Sequence, residues 1–320
     1  MRCIINQNVD PYFNIASEEY LLKNFNDDIF MLYRNEPSVI IGKHQNAFAE
    51  VNPLFVRQHN IPVVRRLSGG GAVFHDLGNV NFSFITNGRE GSLVDFKKFL
   101  TPILVALKAM GVPAEANKRN DLIIDGLKVS GNAEHVFKNR TLHHGTLLYA
   151  SELSRLRGSL KVAPEQFSDR AVRSVRSQVT NIMDYMTIPL SVEDFMAAVQ
   201  QSLLETYPHA ALYCFNDEDE RKINQLITEK YSTWDWNFGY SPKCQIFKSG
   251  LINATRVNCE LTVEKGYITS FSISQEANNK NREAMQVLLN TRYNPEDVAQ
   301  HLASGGISDV EPWITLLFGQ

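Results

Sequence analysis

Twelve consecutive residues, Arg65-Arg66-Leu67-Ser68-Gly69-Gly70-Gly71-Ala72-Val73-Phe74-His75-Asp76, bring together the groups that anion chemistry needs. Guanidinium forks and bare backbone N–H groups both bind phosphate or carboxylate oxygens. Each glycine costs roughly 0.5–1 kcal/mol against alanine in an ordered segment, so a run of them needs a geometric or functional reason. A glycine-rich hairpin turn with solvated arginines would account for the glycines alone. Ser68 and His75 beside them favour an anion or nucleotide site. Two commoner phosphate loops are excluded. No Gly-Lys-Ser/Thr run follows, and Phe74 stands where a dinucleotide fingerprint needs glycine.

Two further stretches carry chemistry. Asn120-Asp121-Leu122-Ile123-Ile124-Asp125-Gly126-Leu127-Lys128-Val129-Ser130-Gly131 has a strong hairpin turn at Asp125-Gly126, which predicts Asn120, Asp121 and Lys128 near one another. Leu142-His143-His144-Gly145-Thr146-Leu147-Leu148 reads as a strand, so its two histidines point to opposite faces. With no cysteine or carboxylate at ligand spacing around them, a zinc site is not expected and no metal ligands are assigned.

These motifs need elements to hold them. Residues 61–64 and 80–86 read as strands on either side of the glycines, the second alternating with period two. Residues 14–22 read as an amphipathic helix, 29–34 and 38–41 as strands, and Asn52-Pro53 as the start of a short helix. Residues 95–110 read as a helix ended by Gly111, and 191–206 and 216–231 as two more. Ser174-Val175-Arg176-Ser177-Gln178-Val179-Thr180-Asn181 reads as a mobile surface loop after a basic stretch. Residues 234–242 read as a Pro/Gly-punctuated domain boundary. Beyond it, 244–263 and 267–273 are strand-like, and 278–290 and 295–303 helical.

The chain has 320 residues, with 43% apolar and 21% charged side chains, an ordinary globular balance with room for a major domain and a smaller one. A net charge of −3 gives no electrostatic reason for a nucleic-acid partner. The first ten residues do not resemble a signal peptide, and no apolar run approaches a membrane span. Cys3, Cys214, Cys244 and Cys259 are scattered, forming neither a zinc site nor a disulfide framework, so a reducing cytoplasm is expected.

Arg-Arg-x-Ser-Gly-Gly-Gly-Ala-Val-Phe-His-Asp-x-Gly-Asn resembles the signature of lipoate-protein ligases of the biotin/lipoate ligase superfamily. Lys128-Val129-Ser130-Gly131 resembles their Lys-x-Ser-Gly motif and 142–148 their His-His-Gly-Thr-Leu strand. Residues 174–181 resemble their adenylate-binding loop, and 234–242 the segment before their C-terminal domain. The resemblance implies an α+β fold: a mixed-sheet catalytic domain over 1–240 with flanking helices, and a small α+β accessory domain over 241–320. It implies ATP with Mg2+, and lipoate as substrate. Lys128 would be the catalytic residue. Arg66, Ser68, Gly69, Gly70, Gly71, Ala72, Val73, Phe74, His75, Asn120, Asp121, Lys128, His144 and Gly145 would bind ATP and lipoate. Ser174, Val175, Arg176, Ser177, Thr180 and Asn181 would form the adenylate loop. The implied acceptors are lipoyl domains of 2-oxoacid dehydrogenases and the glycine-cleavage H protein, with no nucleic acid and no membrane. The rivals are an octanoyltransferase, which needs a cysteine nucleophile in the pocket, and a non-catalytic lipoate-binding protein.

Overall fold

The structure is a computed structural model that describes residues 1–88, 93–160, 164–252, 254–273 and 286–319. The first part of the chain runs β1 Arg2–Ile5, α1 Pro11–Asn24, β2 Ile29–Tyr33, β3 Ser38–Ile41, α2 Ala47–Glu50, α3 Pro53–Gln58, β4 Val63–Arg65 and β5 Val73–His75. Then come β6 Asn79–Asn87, α4 Phe96–Ala109, β7 Glu115–Ala116, β8 Leu122–Ile124, β9 Leu127–Ser130, β10 Asn132–Phe137, β11 Arg140–Leu148 and α5 Leu153–Ser159. The last part holds β12 Phe167–Ser168, α6 Val192–Thr206, β13 Ala211–Leu212, α7 Asp217–Leu226, β14 Cys244–Ile252, β15 Thr255–Glu264 and β16 Tyr267–Ile273. Two more helices, Pro295–Ser304 and Glu311–Phe318, follow.

The α+β class expected from the resemblance holds. The main sheet has the order β10-β11-β6-β2-β1-β13, with parallel pairs around β1 and antiparallel pairs from β2 outward. On one face Phe82 and Phe84 pack with Phe99 of α4 and Phe195 of α6. On the other, Met31 and Ile85 pack with Phe13 and Ile15 of α1. Strand β6 is therefore buried on both faces, although its sequence alternates. Val80, Phe82 and Phe84 face the helices, while the polar set Asn79, Asn81 and Ser83 faces inward too.

Helix α1 departs from the expected amphipathic helix. It starts at Pro11, capped by the Asp10 carboxylate accepting from Tyr12 N–H at 2.7 Å, and it is buried almost all round, Glu18 and Glu19 included. Packed between the main sheet and α7, it has no solvated face.

The glycine-rich segment is not a hairpin. In the small sheet β4-β3-β5, β3 lies between the two strands, parallel to β4 and antiparallel to β5, so the loop crosses over β3. The hairpin at Asp125-Gly126 forms as expected, both residues taking left-handed backbone with φ of 50° and 79°.

Strands β12-β14-β15-β16 form an antiparallel sheet covered by the last two helices. Its core also takes in Phe48, Ala49 and Phe167 from the preceding part of the chain. Residues 234–242, read as a punctuated boundary, hold a wide helical turn, Asp235–Gly239, whose Asn237 bonds Arg65 and Tyr231. The helix expected over 278–290 lies largely outside the described residues. Among the described residues no helix is long and apolar enough to cross a membrane.

Candidate functional site

A cavity of about 320 Å³ opens between the glycine-rich loop, the β8–β9 hairpin, the inward face of β6 and β11, and residues 172–177. Lys128 stands at its wall on β9. The Lys128 ammonium lies 2.7 Å from Asp121 Oδ1, and both side chains are partly exposed. An extra residue on β9, Val129, bulges the pairing so that Leu122 faces Ser130 and Ile123 faces Lys128. Such a bulge re-aims a side chain. Lys128 Nζ leans back over Gly131, where an added Cβ would come within 3.1 Å of it.

Behind the cavity runs a buried polar chain. Arg66 Nε donates to Ser68 Oγ at 3.0 Å, and Ser68 Oγ lies 2.6 Å from His144 Nε2. His144 Nδ1 is 2.8 Å from Glu18 Oε2, and Glu18 also accepts from Tyr33 at 3.0 Å and from Ser83. Burial works to raise the Glu18 carboxyl. The neighbouring His144 and these hydrogen bonds outweigh it and hold the group below the ordinary carboxylate range. His75, also at the cavity, is driven down to about 3 by burial, with Arg66 and His144 adding to the effect, so it is neutral.

The two arginines hold the loop. Arg65 was expected to reach an anion, but its guanidinium is fully buried and donates to the carbonyls of Gly42, Lys43, Gln45, Trp236 and Asn237 and to Ser241 Oγ. A buried guanidinium must place its donors, and here they tie the loop after β3 to the turn at 235–239. Arg66 lines the cavity, yet it donates to Ile40, Gly69 and Gly71 carbonyls as well as to Ser68. Gly70 takes a left-handed φ of 84°. Gly71 sits against Ser174, where a Cβ would come within 3.0 Å of Oγ. That approach is what lets residues 174–181 seat on the glycines.

This segment is anchored at both ends of its contact. Ser174 Oγ accepts from Ala72 N–H at 2.9 Å and from Gln45 Nε2 at 3.0 Å, and Ser174 N–H donates to Glu50 at 3.2 Å. Further on, Lys128 N–H donates to Gln178 O at 2.9 Å and Thr180 N–H to Lys128 O at 3.1 Å, so Val179 runs beside the lysine.

The structure thus brings Arg66, Gly70, Gly71, Ala72, Val73, His75, Asp121, Lys128, His144, Gly145, Ser174, Val175 and Ser177 to one cavity. The other expected residues are not on its wall. Phe74 alternates with Val73 and His75 on β5 and so points into the core with Val39 and Ile41. Ser68 and Gly69 act through Arg66 and His144. The Asn120 carbonyl accepts from Asn132, Thr180 braces Lys128, and Asn181 bonds Ser151. Arg176 also stands off the wall. The sequence reading missed Glu18, Tyr33, Asn81, Arg119 and Asn132. Polar residues alternating along β6, and two acids inside the apolar α1 run, were the available signals. No cysteine lines the cavity: Cys244 packs in the C-terminal core, its thiol pushed up to about 11 by burial, and Cys214 is exposed. Among the described residues no cluster of three metal-binding side chains occurs.

Residues 10–204 match the lipoyl protein ligase A/B catalytic domain. Lipoate–protein ligase 1 of Staphylococcus aureus is 42% identical over 272 residues, covering 84% of this chain and 82% of that protein. A putative lipoate protein ligase of T. acidophilum, solved with bound lipoic acid, superposes with a TM-score of 0.65 at 25% identity, covering 74% of this chain and 98% of that one. A lipoate-protein ligase A solved with ATP superposes with a TM-score of 0.64 at 26% identity, covering 75% and 98%. With its glycine loop, lysine hairpin and His-His strand gathered round one cavity, this chain belongs to the lipoyl protein ligase A/B family.

Proposed function

We propose that this chain is an ATP-dependent lipoate–protein ligase. The observation that supports it best is Lys128, which stands over Gly131 at a cavity walled by the glycine-rich loop. In the first step a carboxylate oxygen of lipoate attacks the α-phosphorus of ATP, forming lipoyl-adenylate and releasing pyrophosphate. Two unit charges 4 Å apart repel by roughly 4 kcal/mol at an effective dielectric near 20. The Lys128 ammonium offsets that repulsion as the anions approach. In the second step the neutral ε-amine of an acceptor lysine attacks the lipoyl carbonyl and AMP leaves. Lys128 then stabilises the oxyanion that develops.

Among the described cavity-lining residues Asp121 is the one carboxylate. Mg2+ is usually held by one or two carboxylates together with substrate phosphates, so this donor fits a metal carried in by ATP. Bound there, the ion would neutralise phosphate charge. Residues 174–181 close over the adenylate, braced on Lys128 and Ala72. The acceptors are lipoyl domains of 2-oxoacid dehydrogenases and the glycine-cleavage H protein, met in the cytoplasm, and residues 241–320 act as an accessory domain. A cavity without cysteine counts against the octanoyltransferase route.

The test is lipoate-dependent ATP–pyrophosphate exchange followed by transfer to an isolated lipoyl domain. Exchange and a mass increase of one lipoyl group on the acceptor are expected. Acyl transfer from acyl carrier protein without ATP would overturn the ligase reading. Lipoate binding without exchange would overturn catalysis.

A further inference from the structure

Three described side chains on the cavity wall keep a buried polar atom with no partner: the acceptor Asn132 Oδ1 and two nitrogens, on His75 and Asn81. His75 is 3% exposed and Asn81 1%, and neither His75 Nε2 nor Asn81 Nδ2 has a hydrogen-bond partner. Both atoms are donors. Asn14 Nδ2 bonds to the Asn8 and Arg34 carbonyls and to Asn35 Oδ1, which leaves Asn35 Nδ2 to donate to His75 Nδ1 at 3.0 Å. With Nδ1 accepting and the ring neutral, the proton sits on Nε2. Asn81 Oδ1 accepts from Asn79 at 2.9 Å, which turns its amide nitrogen the other way.

Their place along the cavity follows from the sheet. Gly131, beneath Lys128, bonds Thr146; Thr146 pairs with Asn81, and Asn81 with Tyr33. Strands lie about 4.8 Å apart, so Asn81 is roughly 10 Å across the sheet from Gly131, and His75 is tied to Asn35, two residues past Tyr33. That is the reach of a short acyl chain whose carboxyl end is held at Lys128. Ile15, Ile40 and Val73 line the same cavity and supply apolar wall.

We propose that the N–H groups of His75 and Asn81 select a cyclic disulfide over a plain alkyl chain at the inner end of the cavity, an inference that rests on the ligase reading above. Dithiolane sulfurs are weak acceptors that give both donors a partner. Octanoate presents only CH2 and CH3 groups there and leaves both donors buried and unmet, a cost that falls on the wrong substrate.

ATP–pyrophosphate exchange with lipoate and with octanoate tests this, alongside equilibrium binding of each acid without ATP. The wild type should favour lipoate by on the order of tenfold in kcat/KM, as expected for unmet donors of this kind. Asn81→Leu should lower lipoate use and raise octanoate use, bringing the two together. His75→Leu should do the same, while His75→Gln, which returns an N–H near the Nε2 position, should restore part of the preference. A lipoate-to-octanoate ratio unchanged in both leucine variants, in exchange or in binding, overturns the proposal, as does a wild type without preference. Wild-type failure to adenylate either acid would instead remove the ligase reading beneath it.

Discussion

His143 and His144 are neighbours on β11, each within hydrogen-bond reach of a buried glutamate, and the two pairs lie on opposite faces of the main sheet. His144 and Glu18 face the cavity and are joined through Ser68 and Arg66 to the glycine-rich loop. His143 and Glu134, 2.9 Å apart, face the helices, with the imidazole stacked on Phe99 at 4.9 Å between ring centroids. The cavity pair has partners on nearly every polar atom, whereas His143 Nε2 and Glu134 Oε2 have none. The same residue types thus serve a site on one face and sit in an aromatic wall on the other. What separates them is the length of the hydrogen-bond chain leading away, and that chain depends on neighbours distant in sequence.

The largest expected effect lies on the cavity side. Lys128→Ala should lower adenylate formation by about 10²–10³-fold, the scale of a lost transition-state charge contact. Its partly exposed pair with Asp121 should cost only about 1 kcal/mol of stability when broken. Lys128→Arg should recover little, because a planar fork does not replace a compact ammonium. Near wild-type exchange in Lys128→Ala would dissolve the distinction between the two faces at its most sensitive point.

A smaller effect falls on both activity and stability. Glu18→Gln keeps the shape but removes the charge that accepts from His144, Tyr33 and Ser83. Hydrogen bonds to a charged group contribute about 1.5–3 kcal/mol each, so a loss near 3 kcal/mol and roughly tenfold weaker lipoate use are expected. The folded pKa of Glu18 is depressed below its ordinary 4.5. Its contribution is therefore present above pH 4.5 and lost as pH falls through the lower folded value. Urea unfolding at pH 4 and pH 7 checks this: wild type should lose more stability between the two than Glu18→Gln.

These contrasts also mark what could be read along the chain. The Asp125-Gly126 turn, the strand holding both histidines, the helix start at Asn52-Pro53 and the helices expected from 95 and 191 follow from local chemistry, and all formed. Glu18 and Glu19 looked like the wet face of a helix because local pattern cannot tell water from a buried partner. Glu19 is met by Lys230 and Tyr231, more than two hundred residues away. Asn81 and Ser83 form the polar side of an alternating strand, and local pattern alone does not mark that side as buried. Arg65 was legible as a cation but not as a strut, since its acceptors come from residues 42–45 and 236–241. The helix at 311–318 is short and apolar, and only its packing over β14 sets it apart from a strand.

The smallest effect is expected on the helix side, and it sharpens the comparison most. His143→Phe alone leaves the Glu134 carboxylate buried without a partner and should cost about 3 kcal/mol. Glu134→Leu added to it removes that charge, and apolar replacement of a buried polar pair is often near neutral. The double variant should therefore sit within about 1 kcal/mol of wild type at pH 7, with exchange activity retained, because neither side chain lines the cavity. Burial holds the His143 pKa below its ordinary 6.5, with Glu134 pulling the other way. The unfolded chain accordingly binds the extra proton first, and the stability this histidine contributes is present above pH 6.5 and lost as pH falls. Each such histidine adds up to about 1.4 kcal/mol per pH unit. Burial lowers His75 and His135 as well, so between pH 6.5 and 5 the wild type should show a slope with shares from all three histidines, and the double variant one that lacks the His143 share. Urea unfolding across that range reads the difference directly. An unchanged slope would mean that His143 is not held neutral in the folded state, and the aromatic wall would not work as described.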